Sequence, residues 1–238
     1  MEIELNFRGL GLILIVLLLI VGAFLGVRAL ATIRFLNHQC NVERQKREEL
    51  ALLVQRLQEE KEAMKLDDFY MVIDRAQNQF VIRKRDKLIK EGPCASGRGE
   101  RWFKDVWGHL KRWDFDTPTG ERRILAVEAN PRWNRPDWDW LERGKKPPKP
   151  EDMIEISNSL SPAAAMAFYR SLSKEERERV RSVPGHLGAW KLSMGDGYYI
   201  HAGNLAGGHV SHGCVRVTPQ DLTVIQELIK VGSSVFIY

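Results

Sequence analysis

An uninterrupted apolar run near the amino terminus constrains this chain more than any other feature. Residues Leu10–Val27, LGLILIVLLLIVGAFLGV, carry no charge. As a helix rising about 1.5 Å per residue, this run nearly spans a bilayer core of roughly 30 Å. It predicts a transmembrane or signal-anchor helix over residues 9–33, after a tail of residues 1–8. Ala29–Ala31 resembles a signal-peptidase site, but the run is long for a signal peptide, so an uncleaved single-pass anchor is favoured.

Charge and periodicity change after the apolar run. Leu50, Leu53, Val54 and Leu57 recur at helical spacing among charges of both signs, which predicts an amphipathic helical stalk over residues 34–67. About two heptads are present, whereas a coiled coil usually sustains three or four. A plain stalk is therefore favoured, with at most weak self-association through this helix.

The remaining chain, residues 68–238, has the pattern of a mainly β domain with helices. Alternation of apolar and polar residues over 69–97 predicts three short strands in a meander. The Trp- and Pro-rich stretch 130–150 predicts a long loop or flap. Further along, the pattern predicts a helix at 161–183, a hairpin at 188–203, a helix at 218–232 and a closing strand at 233–238.

Composition excludes several classes of function. The net charge of +5 mildly favours an anionic partner, but the basic residues form no compact patch, so nucleic-acid binding is not predicted. The chain contains neither a P-loop nor a dinucleotide-binding glycine pattern, so no nucleotide cofactor is predicted. The three cysteines, Cys40, Cys94 and Cys214, form no CxxC pair, and at least one of them must be a free thiol.

One of these cysteines lies in an unusual stretch, Tyr198–Val217, which also holds three histidines and several glycines. A thiol with a pKa near 8.5 is mostly protonated at neutral pH, and the thiolate is the nucleophile. The imidazole of His201 or His212 could take that proton or, as imidazolium, stabilise the thiolate. Glycine at 213 lets backbone N–H groups approach a reacting oxygen, as an oxyanion hole requires. The stretch therefore predicts Cys214 as a nucleophile.

Other interpretations of this cluster are open. His201, His209, His212 and Cys214 could bind zinc, but their spacing matches no common zinc pattern, so no metal is predicted. Cys214 could also be a small buried core residue, although a position beside histidines and a glycine bend is unusual for one. The loop position of His209 favours a bystander role.

The order of these residues resembles the active-site signature of the L,D-transpeptidase catalytic domain family, with its YkuD-type fold. That signature is a histidine, a loop, Ser/Thr-His-Gly-Cys, an aliphatic residue and then Arg or Asn; here it is His201 followed by SHGCVR at 211–216. VIDRAQNQFVIRK, DTPTGERRI, NPRWNRP and LIKVGSSVFIY also resemble family segments, so the resemblance covers Phe69–Tyr238. The interval from His201 to Ser211 is shorter than in many members, and PCASG at 93–97 replaces the commoner Val-Ser-Thr-Gly.

The resemblance implies a β-sandwich-like catalytic domain that acts on peptidoglycan stem peptides without a cofactor. Cys214 would attack a tetrapeptide stem after its third residue, release D-alanine and form a thioester. An amine would then resolve the thioester, giving a 3→3 cross-link or attaching a wall protein. By resemblance His201 is the general base, His212 supports the thiolate and the site, and the backbone of Gly213 contributes to the oxyanion hole.

The predicted substrate-binding residues are Arg216, Ser211, Tyr199 and Trp133. Arg216 could pair with a substrate carboxylate or form a structural ion pair, and the sequence favours neither. Tyr199 and Trp133 could line a groove or pack in the core.

Two further functions remain open from the sequence. An L,D-carboxypeptidase or amidase would hydrolyse the same acyl-enzyme, and a non-catalytic peptidoglycan-binding protein could share the fold. Because peptidoglycan lies outside the cytoplasmic membrane, the resemblance places the catalytic domain on the periplasmic or wall side. Residues 9–33 would anchor it in the inner, cytoplasmic membrane, although the basic residues flanking the apolar run weakly favour the opposite orientation.

Overall fold

The structure is a computed structural model. It describes the backbone of residues 7–63 and 68–238, and the side chains of residues 19, 22–59, 61–62 and 68–238. The chain divides into two compact units, residues 1–58 and 59–238.

The first unit is formed by a long helix, α1 (Phe7–Ala63), of which a short C-terminal part belongs to the second unit. The helix runs without a break through the predicted boundary between the anchor, residues 9–33, and the stalk. Among the side chains that the structure describes, no helical stretch combines the length and the apolar character needed to cross a membrane. Residues 10–18, 20 and 21 of the apolar run lie outside those described side chains.

The second unit contains strands and short helices. The strands are β1 (Phe69–Asp74), β2 (Gln79–Lys84), β3 (Lys87–Gly97), β4 (Arg101–Val106), β5 (His109–Asp114), β6 (Gly120–Arg123), β7 (Ala126–Ala129), β8 (Arg132–Asn134), β9 (Ser182–Pro184), β10 (Trp190–Ser193), β11 (Tyr199–Ala202), β12 (His209–Ser211), β13 (Val215–Val217) and β14 (Ser234–Ile237). The helices are α2 (Asp137–Glu142), α3 (Pro162–Ser171), α4 (Lys174–Glu178) and α5 (Pro219–Leu228), with a 3₁₀ turn at Pro150–Asp152.

Within the described residues one sheet of ten strands dominates the unit, in the order β6-β14-β1-β2-β3-β13-β11-β10-β7, with β12 paired to β3. The eleven-residue strand β3 joins its two halves. Residues 87–93 of β3 pair with β2, whereas Cys94 and Ala95 pair with β13. The predicted sandwich is therefore a single curled sheet, and the predicted mainly β character with helices is confirmed as a mixed α/β fold.

The curled sheet closes around one apolar core. Met71 of β1, Phe80 of β2, Leu192 of β10 and Val215 of β13 belong to the same buried cluster. Helix α5 covers this cluster with Leu222 and other side chains of its apolar face. Strands from both halves of the sheet thus share one core. One face of the sheet is turned toward this core, and the opposite face is left for other contacts.

The helix predicted at 161–183 is interrupted. Leu172 is extended, with φ −70° and ψ 145°, and ends α3. Ser173 then starts α4 with a capping box, in which its hydroxyl accepts from the Glu176 N–H and the Glu176 carboxylate accepts from the Ser173 N–H. Because the N–H groups of both Ser173 and Glu176 are satisfied in this way, the start of a new helix is favoured over continuation of α3.

The Trp- and Pro-rich stretch 130–150 also differs from the predicted loop or flap. It contains β8, which pairs with β9, and the short helix α2. Arg181 and Lys111 both bind the Asp137 carboxylate at the start of α2, at 2.9 and 2.6 Å. At the other end Arg143 binds Glu178 at 2.7 Å, so α2 is attached to the domain at both ends.

Candidate active site

The face of the sheet that points away from the core carries the candidate site. On β11 and β13 the alternate residues Ile200 and Val215 are buried in the core, so Tyr199, His201 and Arg216 point to the opposite face. His201 pairs with Arg216 across the two parallel strands. This face forms part of a cavity of about 470 Å³.

The cavity brings together nearly all of the predicted site residues. It is lined by Cys214, His201, His212, Arg216, Ser211, Tyr199 and Trp133. Gly213 does not line it. Residues that the sequence analysis did not single out also contribute, and they include Trp138, His186 and Lys191.

A tight turn holds Cys214 at the start of β13. The Ser211 hydroxyl accepts from the Gly213 N–H at 3.1 Å and donates to the Cys214 carbonyl at 2.5 Å. Thr117 donates its hydroxyl to the Gly213 carbonyl at 2.8 Å. Gly213 has φ +115°, and a Cβ there would lie 2.7 Å from a ring carbon of Tyr198. Ser211 and Gly213 thus shape the turn itself, and the Gly213 N–H is bound to Ser211 in this state.

The thiol of Cys214 is protonated at neutral pH in this state. Burial raises its pKa above the ordinary value, and a backbone hydrogen bond from Tyr199 and the charges of Arg216 and Lys191 only partly oppose this. The sulfur lies 3.8 Å from the Gly197 carbonyl, as a weak S–H donor. A thiolate forms here only when another group takes the proton.

His201 is suited to take a proton. It is 6% exposed, and its Nδ1 lies 2.8 Å from the Ala202 carbonyl. Because a carbonyl only accepts, Nδ1 carries the hydrogen and Nε2 keeps a lone pair. Burial lowers the pKa of His201 to about 4, and Arg216 and His186 lower it further. The hydrogen bond to the Ala202 carbonyl raises this pKa, but by less than the other effects lower it. The imidazole is therefore neutral at pH 7.

His212 has a different environment. Trp138 stacks on its ring at a centroid distance of 3.7 Å, and Phe115 meets the ring edge-on at 4.7 Å. Its Nε2 lies 2.9 Å from a Glu142 carboxylate oxygen and 3.1 Å from Nη1 of Arg98. Burial lowers the pKa of His212, and Glu142 opposes that shift.

The side chain of Arg216 lines the cavity. Within the described part of the chain its buried Nε has no hydrogen-bond partner. Burial lowers the pKa of Arg216 from its usual value, opposed by a Cys214 thiolate when one forms and by Glu142. Such a site favours an anionic group of a ligand.

Aromatic and cationic side chains complete the walls. Trp133 stacks on His186 at a centroid distance of 4.0 Å. The ammonium group of Lys191 lies 4.7 Å from the ring centre of Tyr199 and 2.8 Å from a carboxylate oxygen of Glu128. Tyr199 and Trp133 therefore lie at the cavity and outside the main core cluster.

The other histidine and cysteines lie elsewhere. His209 is exposed, binds the Ser96 hydroxyl at 3.0 Å and does not line the cavity. Cys94 is buried in the core, and burial raises its pKa to about 12, while Cys40 is exposed on α1. In the described part of the chain, no three His, Cys, Asp or Glu side chains are placed to hold a metal ion.

Comparisons with known proteins identify the family of this chain. The family model for the YkuD L,D-transpeptidase catalytic domain matches residues 68–237. A crystal structure of an L,D-transpeptidase from Xylanimonas cellulosilytica is similar, with 14% identity, a TM-score of 0.44, and coverage of 72% of this chain and 61% of that one. The corresponding values for an L,D-transpeptidase from Mycobacterium smegmatis are 14%, 0.43, 72% and 58%.

This chain therefore covers about three fifths of those two chains. No curated protein sequence matches it. Since the family model covers well over half of its length, the chain belongs to the L,D-transpeptidase catalytic domain (YkuD) family.

Proposed function

We propose that this protein is a peptidoglycan L,D-transpeptidase that uses Cys214 as its nucleophile. One observation carries the proposal: the Cys214 thiol, a neutral His201 and the Arg216 guanidinium line one cavity of about 470 Å³. A nucleophile, a proton acceptor and an anion-binding group are what acyl transfer from a peptide with a free carboxylate requires.

The first half-reaction transfers the stem peptide to the sulfur. Nε2 of His201 accepts the Cys214 proton as the sulfur attacks the carbonyl carbon of the third stem residue. The tetrahedral intermediate collapses when the C–N bond to D-alanine breaks, and the His201 imidazolium returns the proton to the leaving amine. A thioester on Cys214 and free D-alanine remain. A low pKa makes the His201 imidazolium a strong acid for this second proton transfer.

The pKa shifts of Cys214 and His201 favour proton transfer during attack over a resting ion pair. Burial moves the two pKa values apart, lowering that of His201 and raising that of Cys214. The thiol and imidazole are therefore both neutral before substrate arrives. The negative charge that develops on the carbonyl oxygen would be stabilised by backbone N–H groups of the turn around Gly213. To contribute, the Gly213 N–H must break its hydrogen bond to the Ser211 hydroxyl.

The cavity walls suit a stem peptide. The cation of Arg216 can bind the terminal carboxylate of D-alanine, since a guanidinium and a carboxylate pair through two hydrogen bonds. The aromatic faces of Trp133 and Tyr199 can pack against the apolar parts of the stem.

The second half-reaction decides between the alternatives. An amine of another stem peptide, or of a wall protein, attacks the thioester and gives its proton to His201, and the Cys214 thiol is released as an amide forms. With water in place of the amine, the same intermediate gives an L,D-carboxypeptidase. A protein that binds peptidoglycan without catalysis would form no thioester.

The test is to incubate the full chain with disaccharide-tetrapeptide and to analyse protein and products by mass spectrometry. We expect a thioester adduct on Cys214, loss of D-alanine and 3→3 linked dimers. Cys214→Ala should abolish all three, and the control Cys40→Ala, an exposed cysteine on α1, should change none. Tripeptide without dimer would identify a carboxypeptidase, and turnover by Cys214→Ala would refute the proposed nucleophile.

We further propose that residues 9–33 anchor the protein in the cytoplasmic membrane, with the catalytic domain on the outer side. The support is the charge-free run Leu10–Val27 and the location of the proposed substrate. The full chain should stay in bacterial membranes during alkaline carbonate extraction, and a variant lacking residues 1–33 should not. Release of the full chain, or protection of its domain from protease added to spheroplasts, would contradict the proposal.

A further inference from the structure

Glu142 and Arg98 compete for one nitrogen of His212. Nε2 of this ring lies 2.9 Å from Oε2 of Glu142 and 3.1 Å from Nη1 of Arg98. A carboxylate only accepts hydrogen bonds and a guanidinium only donates them. If Nε2 carries a hydrogen, it binds Glu142; if Nε2 carries a lone pair, it binds Arg98. The two contacts therefore correspond to two different tautomers of His212.

The surroundings favour the contact with Glu142. Arg98 already donates Nη1 to the other oxygen of Glu142 at 2.6 Å, and its Nε lies 2.8 Å from Glu100. Its guanidinium also lies 4.6 Å from the centre of the Phe115 ring. Nη1 of Arg98 thus already has an acceptor in Glu142, although the buried Nε and Nη2 of Arg98 make no hydrogen bond within the described part of the chain. The His212–Glu142 contact pairs a hydrogen on Nε2 with a carboxylate.

Helix α2 is built to hold this contact. Trp138 and Glu142 are four residues apart, which places them on one face of the helix. Trp138 stacks on the imidazole at 3.7 Å while Glu142 meets its Nε2. One helix face therefore fixes both the plane of the ring and the direction of its nitrogen.

From this geometry we propose that Glu142 is a positioning residue, which holds the hydrogen of His212 on Nε2 and leaves Nδ1 as the acceptor nitrogen. Nothing in this assignment requires Glu142 to contact substrate. It acts through His212, next to the Gly213–Cys214 turn. A histidine whose partner fixes its tautomer and orientation is a more effective acceptor at the other nitrogen.

Charge around the ring supports the assignment. The charged groups that face His212 are Glu142 from α2, Arg98 from the end of β3 and Arg216 from β13. Burial and the two arginines lower the pKa of His212, and Glu142 alone raises it. Burial raises the pKa of Glu142, but Arg98 and His212 outweigh this and keep it below its usual range. Glu142 is therefore an anion at neutral pH.

The experiment compares Glu142→Gln with the full wild-type chain by long-range ¹H–¹⁵N NMR of the histidine rings. His212 should show the Nε2–H tautomer in the wild type and shift toward Nδ1–H in Glu142→Gln, and the pKa of His212 should fall. The matched control is Glu155→Gln, an exposed glutamate that does not line the cavity. A second variant, Arg98→Met, removes the competing donor and should keep the Nε2–H tautomer.

The kinetic consequence rests on the proposed function and is measured separately. Acylation of Cys214 by a carbapenem should slow about 10-fold in Glu142→Gln, by analogy with the lower end of the loss when a metal-ligating histidine loses its second hydrogen-bond partner. It should remain unchanged in Glu155→Gln. An Nδ1–H tautomer in the wild type, or unchanged tautomer in Glu142→Gln, would overturn the inference. A tautomer that changes without slower acylation would overturn its catalytic part. Failure of the wild type to acylate would count against the proposed function and leave the tautomer result to judge Glu142.

Discussion

Thr117 offers a sharp test of how the fold holds the Cys214 turn. It is fully buried, and its hydroxyl serves two backbone groups that lie far apart in sequence. The hydroxyl oxygen accepts from the Gly97 N–H at 2.7 Å, and its hydrogen goes to the Gly213 carbonyl at 2.8 Å. Thr117→Val keeps the shape of the side chain and removes both hydrogen bonds.

The magnitude follows from what is left unpaired. Each buried backbone group without a partner costs about 1–3 kcal/mol. Because Thr117→Val leaves both the Gly97 N–H and the Gly213 carbonyl without this partner, the free energy of unfolding should fall by about 2–6 kcal/mol. Thr117→Ser keeps the hydroxyl and loses one methyl group, which costs about 1 kcal/mol.

Urea unfolding of the catalytic unit in the full chain measures the difference. Acylation of Cys214 by a carbapenem in the native state should also slow in Thr117→Val, because the hydrogen bond that holds the Gly213 carbonyl, and with it the turn, is lost. If Thr117→Val is as stable as Thr117→Ser and acylates at the same rate, the buried hydroxyl does not hold this turn and the reasoning fails.

Two further results are expected. Because folding lowers the pKa of His201 from 6.5 to about 4, the unfolded chain binds a proton more readily. The free energy of unfolding should therefore fall as pH drops from about 6.5 to 4, by up to about 3 kcal/mol from this residue. Denaturant titrations at several pH values should show that the free energy of unfolding depends less steeply on pH in His201→Gln. Gly213→Ala should destabilise the chain by about 1–3 kcal/mol or more, since φ is +115° there and the Cβ would meet Tyr198; wild-type stability in a thermal melt would contradict the assigned turn.

Much of the fold could be predicted because its elements have local signals. Apolar and polar residues that partly alternate marked the meander of β1 to β3, although β1 itself is an almost continuous apolar run. Thr218 with Pro219 marked the start of α5, where the Thr218 hydroxyl accepts from the Asp221 N–H. The break between α3 and α4 was missed although its signal, Ser173 followed by Glu176, is also local. The folded chain uses this capping box to begin α4.

The candidate site was only partly predictable for a physical reason. Cys214, His201 and His212 lie in one short stretch of the sequence, so the sequence alone indicates that they act together. Glu142 and Thr117 reach the same stretch from 70 and 96 residues away in the chain. Periodicity reports which face of an element is buried, but it does not report which loops meet at the end of a curled sheet.

The structure gives His201 and His212, which line the same cavity as Cys214, different environments. Among the groups that shift the pKa of His201 in the described chain, the Ala202 carbonyl is polar and uncharged while Arg216 and His186 oppose protonation. The groups that shift the pKa of His212 include the Glu142 carboxylate, which favours protonation of the ring. His201 is neutral and buried, and its Nδ1 rather than its Nε2 binds the Ala202 carbonyl, so its Nε2 is the better acceptor for a thiol proton. A ring held by a carboxylate and stacked on Trp138 is the better fixed element of the wall. The division of roles proposed for His201 and His212 thus rests on the partner that each ring meets in the fold.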